Sequence, residues 1–221
     1  MIRVIKLAIV SVIAVGAASV GSAQAAKKLS QLDGRASPSL RAQVTAIADS
    51  TARSGLPVGP LVDKTLEGIS KGADDQRIIA AVRGIASELG VARRALGPSS
   101  DDELTAAVAA LRAGSSAGEL AELRHALPGR PLIVPLSVLA SLLVDGTPSP
   151  SAIVAVVSAA KRRNDVDLLA YGRGVSRDIA SGVAPLTAIS GALSSAASAP
   201  VSYPTVSRPS IPLQLPPKPK P

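Results

Sequence analysis

The sequence predicts an all-α protein of antiparallel helix hairpins in two related halves, solenoid-like or a pseudo-symmetric bundle, followed by a disordered proline-rich tail. Three observations predict it. From about Leu29 to Ala199, apolar residues recur every three or four positions, which places them on one face of an α-helix. Gly34, Gly55, Gly72, Gly97, Gly114, Gly129, Gly146 and Gly182 each stand at or just beyond the end of an apolar stripe, where a helix commonly closes. No stretch alternates with period two, so no strand is expected.

The chain starts with a different kind of segment. Met1 to Lys6 carries Arg3 and Lys6, Leu7 to Val20 is uncharged, and Gly21-Ser22-Ala23-Gln24-Ala25 is built of small residues. A basic start, an apolar middle and an Ala-x-Ala end make a secretory signal peptide, expected over 1–25 with cleavage between Ala25 and Ala26. Ala23 and Ala25 take the −3 and −1 positions. The apolar run is well short of the roughly 20 residues that cross a bilayer. No later segment reaches that length without charge or proline. The expectation is an exported chain, periplasmic or secreted, with no transmembrane segment after cleavage. Residues 26–36, with Lys27 and Lys28, read as a flexible basic N-terminus.

A helical domain is expected over 37–199. Leu40, Val44, Ile47 and Thr51 form its first stripe. The clearest runs from Arg77 to Leu96, where Ile78, Val82, Ile85, Leu89, Ala92 and Leu96 share one face. Leu104, Val108 and Leu111 follow, then Leu120, Leu123 and Leu127. Later come Ile153, Val157 and Ala160, then Leu168, Val175 and Ile179. Asp74 and Asp75, Ser100 to Asp102, and Ser149 before Pro150 suit helix starts. Gly172-Arg173-Gly174 interrupts the last stripe and predicts a kink or a break between two short helices.

Spacing suggests an internal repeat. Gly55, Gly72 and Gly97 are spaced like Gly129, Gly146 and Gly172, and Ile78 to Val82 resembles Ile153 to Val157. A duplication of about 75 residues, pairing 55–110 with 129–185, is the expectation. Beyond Ala199 the composition changes: Pro200 to Pro221 holds eight of the 18 prolines. That stretch cannot be helix or central strand, and an extended polyproline II tail is expected.

Composition restricts the chemistry. There is no cysteine, so an exported chain here has neither a disulfide framework nor a thiolate nucleophile. There is no Phe or Trp, and only Tyr171 and Tyr203 are aromatic, so the core must rest on Leu, Ile, Val and Ala. His125 is the sole histidine and stands near a helix C-terminus without a Gly-x-Ser-x-Gly elbow. One histidine and no cysteine argue against a transition-metal site. Glu67, Glu88, Glu103, Glu119 and Glu122 read as helix-surface carboxylates rather than a glycosidase pair, which usually works with aromatic sugar platforms. Glu119 and Glu122 read as one solvated face. No phosphate loop or dinucleotide fingerprint is present.

The net charge is +8, with Arg3 and Lys6 inside the expected signal. Arg93, Arg94, Lys161, Arg162 and Arg163 fall near helix C-termini, where cations complement the dipole. With Lys218 and Lys220 of the tail they are the candidate anion-binding residues. Nucleic acid is not an expected partner, because aromatic stacking residues are lacking. The expected function is a non-enzymatic interaction or scaffold protein of a bacterial cell envelope, without cofactor. Its expected partner is a protein or an anionic envelope component. The alternative is an electrostatic binder of anionic envelope lipids or polymers, and a hydrolase with an unrecognised site comes last.

Overall fold

A computed structural model describes residues 26–198. Among these residues there is no strand, and nine α-helices span at least ten residues each. They are α1 (Pro38–Arg53), α2 (Gly59–Ser70), α3 (Asp75–Leu96), α4 (Asp101–Arg112), α5 (Ala117–Ala126), α6 (Ile133–Val144), α7 (Ser149–Arg162), α8 (Asp165–Ala180) and α9 (Pro185–Ser198). The expected signal peptide and proline-rich tail lie outside the described residues.

The helices begin where short polar side chains satisfy the first free amides. Ser37, Asp74 and Asn164 accept from the backbone N–H of Leu40, Arg77 and Asp167. Ser100 and Ser116 go further and form capping boxes with Glu103 and Glu119. Ser149 does not cap α7: the cap position is Pro148 and Ser149 is already helical.

The helices end as locally. All eight glycines expected at helix ends have positive φ, from 66° at Gly72 to 111° at Gly114, and no non-glycine residue does. After α2, α4, α6 and α8 the chain closes the same way. The N–H groups of Ala73, Ser115, Thr147 and Val183 bond back to the carbonyls of Gly68, Ala110, Leu142 and Asp178 at 2.9–3.0 Å. This six-to-one bond stops the helix and reverses the chain.

Two layers result. α4, α6 and α8 lie side by side in one; α1, α3, α5, α7 and α9 form the other. α3, the longest helix, also touches α2 and α4, and α6 lies between α4 and α8 with α7 across it. α6 carries no charge from Ile133 to Val144, in keeping with that central place. One continuous core joins the layers, with Leu61, Leu89, Leu104, Leu120, Leu136 and Leu139 fully excluded from water. Each such leucine is worth roughly 2 kcal/mol of burial.

Glycine and alanine let these helices sit close. α8 runs unbroken through Gly172 and Gly174, so the expected break between two short helices is absent. Gly172 is there for proximity: a Cβ on it would lie 3.1 Å from Val138 of α6. Gly172 is therefore not a counterpart of Gly97, which has positive φ and ends α3. That third correspondence of the 75-residue duplication does not hold. The segment 26–36, expected to be flexible, packs on the body. Residues 26–29 are helical and lead into a 3-10 turn, Ser30–Leu32. Leu32 is completely buried, and Arg41 pairs with Asp33 at 2.7 Å.

Candidate functional site

Connections between successive helices meet along one edge of the helical body, and arginines tie them together. Arg93, near the end of α3, donates to the carbonyls of Ser99 and Gly55, both at 3.0 Å. Arg124, near the end of α5, donates to the carbonyl of Arg130 and to Glu103 Oε1, again both at 3.0 Å. Arg130 reaches the carbonyls of Ala160 and Arg163 and the Asp165 carboxylate. Arg163 donates to the Ala192 carbonyl at 3.1 Å and sits 4.8 Å from the centre of the Tyr171 ring. Helix C-termini leave carbonyls without internal partners. A guanidinium, with five donors in a fixed fork, can satisfy several from neighbouring loops at once.

Glu103 is the acidic centre of this edge. It is 8% exposed and accepts from the N–H of Ser100 and Leu132 as well as from Arg124. Burial works to raise its pKa, but the N–H groups of Leu132 and Ser100 and the Arg124 guanidinium prevail and hold it below the usual carboxylate range. Glu119 follows the same logic on the opposite edge. Burial raises it, while the Ser149 hydroxyl it faces and the Ser116 and Ser115 groups lower it further. It belongs to a cap rather than to a solvated face; its neighbour Glu122 is exposed. Glu67 is held down to about 2 by hydrogen bonds from Lys64 and Lys71. Burial pushes the Tyr171 phenol up to about 12, against the opposing charge of Arg163.

The candidate anion-binding residues separate into three groups. Arg93 donates to the loop carbonyls of Ser99 and Gly55, and Arg163 to the Ala192 carbonyl within α9. Arg94, Lys161 and Arg162 are exposed on the same edge as those loops. Acidic first turns interleave with them, Asp101 and Asp102 on α4 and Asp165 and Asp167 on α8, so the edge carries mixed charge. Ala23, Ala25, Lys218 and Lys220 lie outside the described residues, and Ala26 is the first described one.

Sequence reasoning passed over Arg124 and Arg130. A signal for the first was present. Arg93-x-Ala-Leu96 recurs as Arg124-x-Ala-Leu127, and each arginine donates to the carbonyl six residues ahead. It also passed over the exposed apolar side chains. Val144 is 76% exposed, Val166 72%, Val154 61% and Leu186 56%, with Ile133, Leu169 and Val183 less so. Val166 and Leu169 lie three apart on the outer face of α8, opposite the buried Leu168, Tyr171 and Val175.

Two open grooves mark the surface. One, of about 350 Å³ between α1 and α3, is lined by Gln43, Ile47, Ser50, Thr51 and Arg83 among others. The other, of about 290 Å³ between α7 and α9, is lined by Pro150, Ser151, Val154, Ala155, Ile189 and Leu193, with no charged group. Among the described residues no cluster of three or more carboxylate or histidine side chains is placed to hold a metal ion. None of the described helices is long and apolar enough to cross a membrane.

No protein-family model, curated protein or solved structure matches this chain. Its function must therefore be argued from the packing and the surface alone.

Proposed function

We propose that this chain is an exported, non-enzymatic interaction or scaffold protein of a bacterial cell envelope, a solenoid-like stack of helix hairpins that binds through its C-terminal half. The observation that carries the reading is the placement of the large exposed apolar side chains. All seven among the described residues lie from Ile133 onward. Grouped apolar surface on a folded chain is characteristic of contact sites, and hairpin stacks commonly bind through such extended faces.

The buried pattern supports a stack of four hairpins, α2–α3, α4–α5, α6–α7 and α8–α9. Their turn glycines are Gly72, Gly114, Gly146 and Gly182. The residue ten before each turn glycine is buried: Val62, Leu104, Leu136 and Gly172. So is the residue seven before: Thr65, Ala107, Leu139 and Val175. So is the residue six after: Ile78, Leu120, Ala152 and Ala188. Two successive hairpins account for the spacing of about 75 residues seen in the sequence. The extra length of α3 then explains why the correspondence fails beyond it.

The test is a crosslinking pull-down from envelope fractions with the full chain, with and without residues 200–221. Recovery of one defined protein that survives about 0.5 M salt, and is lost in Val166→Asp/Leu186→Asp, is the expected result. Recovery that ignores that double change overturns the C-terminal assignment. The exposed Arg94, Lys161 and Arg162 favour the second reading, a binder of anionic envelope lipids or polymers. Under that reading binding to anionic vesicles disappears at the same salt, and no salt-resistant partner is found. Cell fractionation and N-terminal sequencing test the export step; a mature chain starting at Ala26 is expected.

A further inference from the structure

The groove between α7 and α9 has a ready tenant. Its lining is apolar apart from Ser151, and no Asp, Glu, Lys or Arg borders it. Val154 stands 61% exposed at its lip while Ala155 and Ile189 form a buried floor. α9 supplies one wall through Ile189 and Leu193 and ends at Ser198, so the chain leaves the described fold beside the groove it would fill.

We propose that this groove is the docking site of the chain's own segment 199–207, Ala-Pro-Val-Ser-Tyr-Pro-Thr-Val-Ser. Charge selects this segment. It holds no ionisable group except Tyr203, whereas Arg208, Lys218 and Lys220 all lie beyond it. An uncharged groove accepts Val201, Tyr203 and Val206 without desolvating a charge, which the more distal, lysine-bearing stretch cannot match. Reach is sufficient. From Ser198 back to the level of Ile189 is about 14 Å along a helix rising 1.5 Å per residue. Five extended residues at about 3.1 Å each cover it. Attachment does the rest: a tethered segment presents itself at an effective concentration of about a millimolar, ahead of any dilute free partner.

The absence of native cysteine makes the test direct. In the full chain, Val154→Cys is combined with Val201→Cys, and compared with Val144→Cys combined with Val201→Cys. Both body positions are exposed, so helicity by circular dichroism should be unchanged. Under mild oxidation the first pair should form an intramolecular disulfide about tenfold faster than the second, with the linked peptide identified by mass. Equal rates would mean a segment that visits both positions indifferently and would overturn the proposal. Disulfide-linked dimers in place of the intramolecular product would assign the groove to a second copy and overturn it equally. If Val154→Asp without cysteine leaves elastase cleavage within 199–207 unchanged, the docking is likewise refuted.

Discussion

The N-terminal and C-terminal parts of the helical body differ in how they meet water. From Lys28 to Arg112 the surface carries five ion pairs, among them Arg112–Glu88 at 2.6 Å and the Lys64–Glu67–Lys71 cluster, and no large apolar side chain is left exposed. Among the described residues all seven exposed large apolar side chains lie from Ile133 onward, where one ion pair, Arg130–Asp165, reaches in. The N-terminal end is closed by Leu32 and by Lys28, 4.0 Å from Asp63. The comparison teaches that folding and surface are separable here. Both parts close helices on positive-φ glycines and bury leucines, and the side chains left over are ion-paired in one and apolar in the other.

The largest effect is expected where the halves meet. Glu103 and Arg124 belong to the N-terminal half but brace Leu132, the residue before α6. Removing either partner by Arg124→Ala or Glu103→Ala strands a buried charge and should cost about 3 kcal/mol in chemical denaturation. A cost below about 1 kcal/mol would show that the junction is not held there. Next comes close helix contact. Gly68→Ala would bring a Cβ to 2.6 Å from Ile78, against 3.1 Å from Val138 for Gly172→Ala. Both should destabilise by about 1–3 kcal/mol, the N-terminal change by more. Equal melting shifts would mean that Ile78 turns aside as easily as Val138.

Acid should weaken the junction before it affects the exposed C-terminal surface. Glu103 and Glu119 have folded pKa values below the ordinary 4.5. The stability they contribute is present above that value and is lost as pH falls through the lower folded values. Urea midpoints should therefore fall steadily below pH 4.5, and Glu103→Gln should flatten the fall. Glu67, lowered to about 2, keeps its lysine partners to more acidic conditions, but its side chain is 40% exposed and contributes little.

Smaller effects test whether the plan is shared. Gly72→Ala and Gly146→Ala each force a left-handed alanine and should cost about 1 kcal/mol in either half. Unequal costs would mean that the two turns carry different packing. The smallest effect on stability belongs to Val166→Asp and Leu186→Asp, within about 0.5 kcal/mol each. If these melt the protein, the C-terminal face is core rather than contact surface.

Much of the fold was legible because it is decided over a few residues. Helix class came from three- and four-residue spacing, the turns from eight glycines, and two of the starts from Asp74 and Ser100, which accept from the backbone N–H three residues ahead. Gly172 misled because a glycine that ends a helix and a glycine that admits a neighbouring helix look alike in one dimension. The site was far less legible. Arg93 and Arg163 stood out as charges, but their targets, Gly55 and Ala192, are 38 and 29 residues away. Nothing local says that a guanidinium will be spent on a carbonyl rather than left for an anion.

By itself the sequence determined an all-helical chain, its turn positions and the helix caps at Asp74 and Ser100, because those depend on backbone propensity and hydrogen bonds within one turn of helix. The tertiary structure alone decided three things: that the arginines stitch the loops along one edge, that Glu103 is buried at the junction, and that Val144, Val154, Val166 and Leu186 face water. Each of these depends on which helix lies beside which. That is set by the summed packing of both layers and by no short stretch of residues.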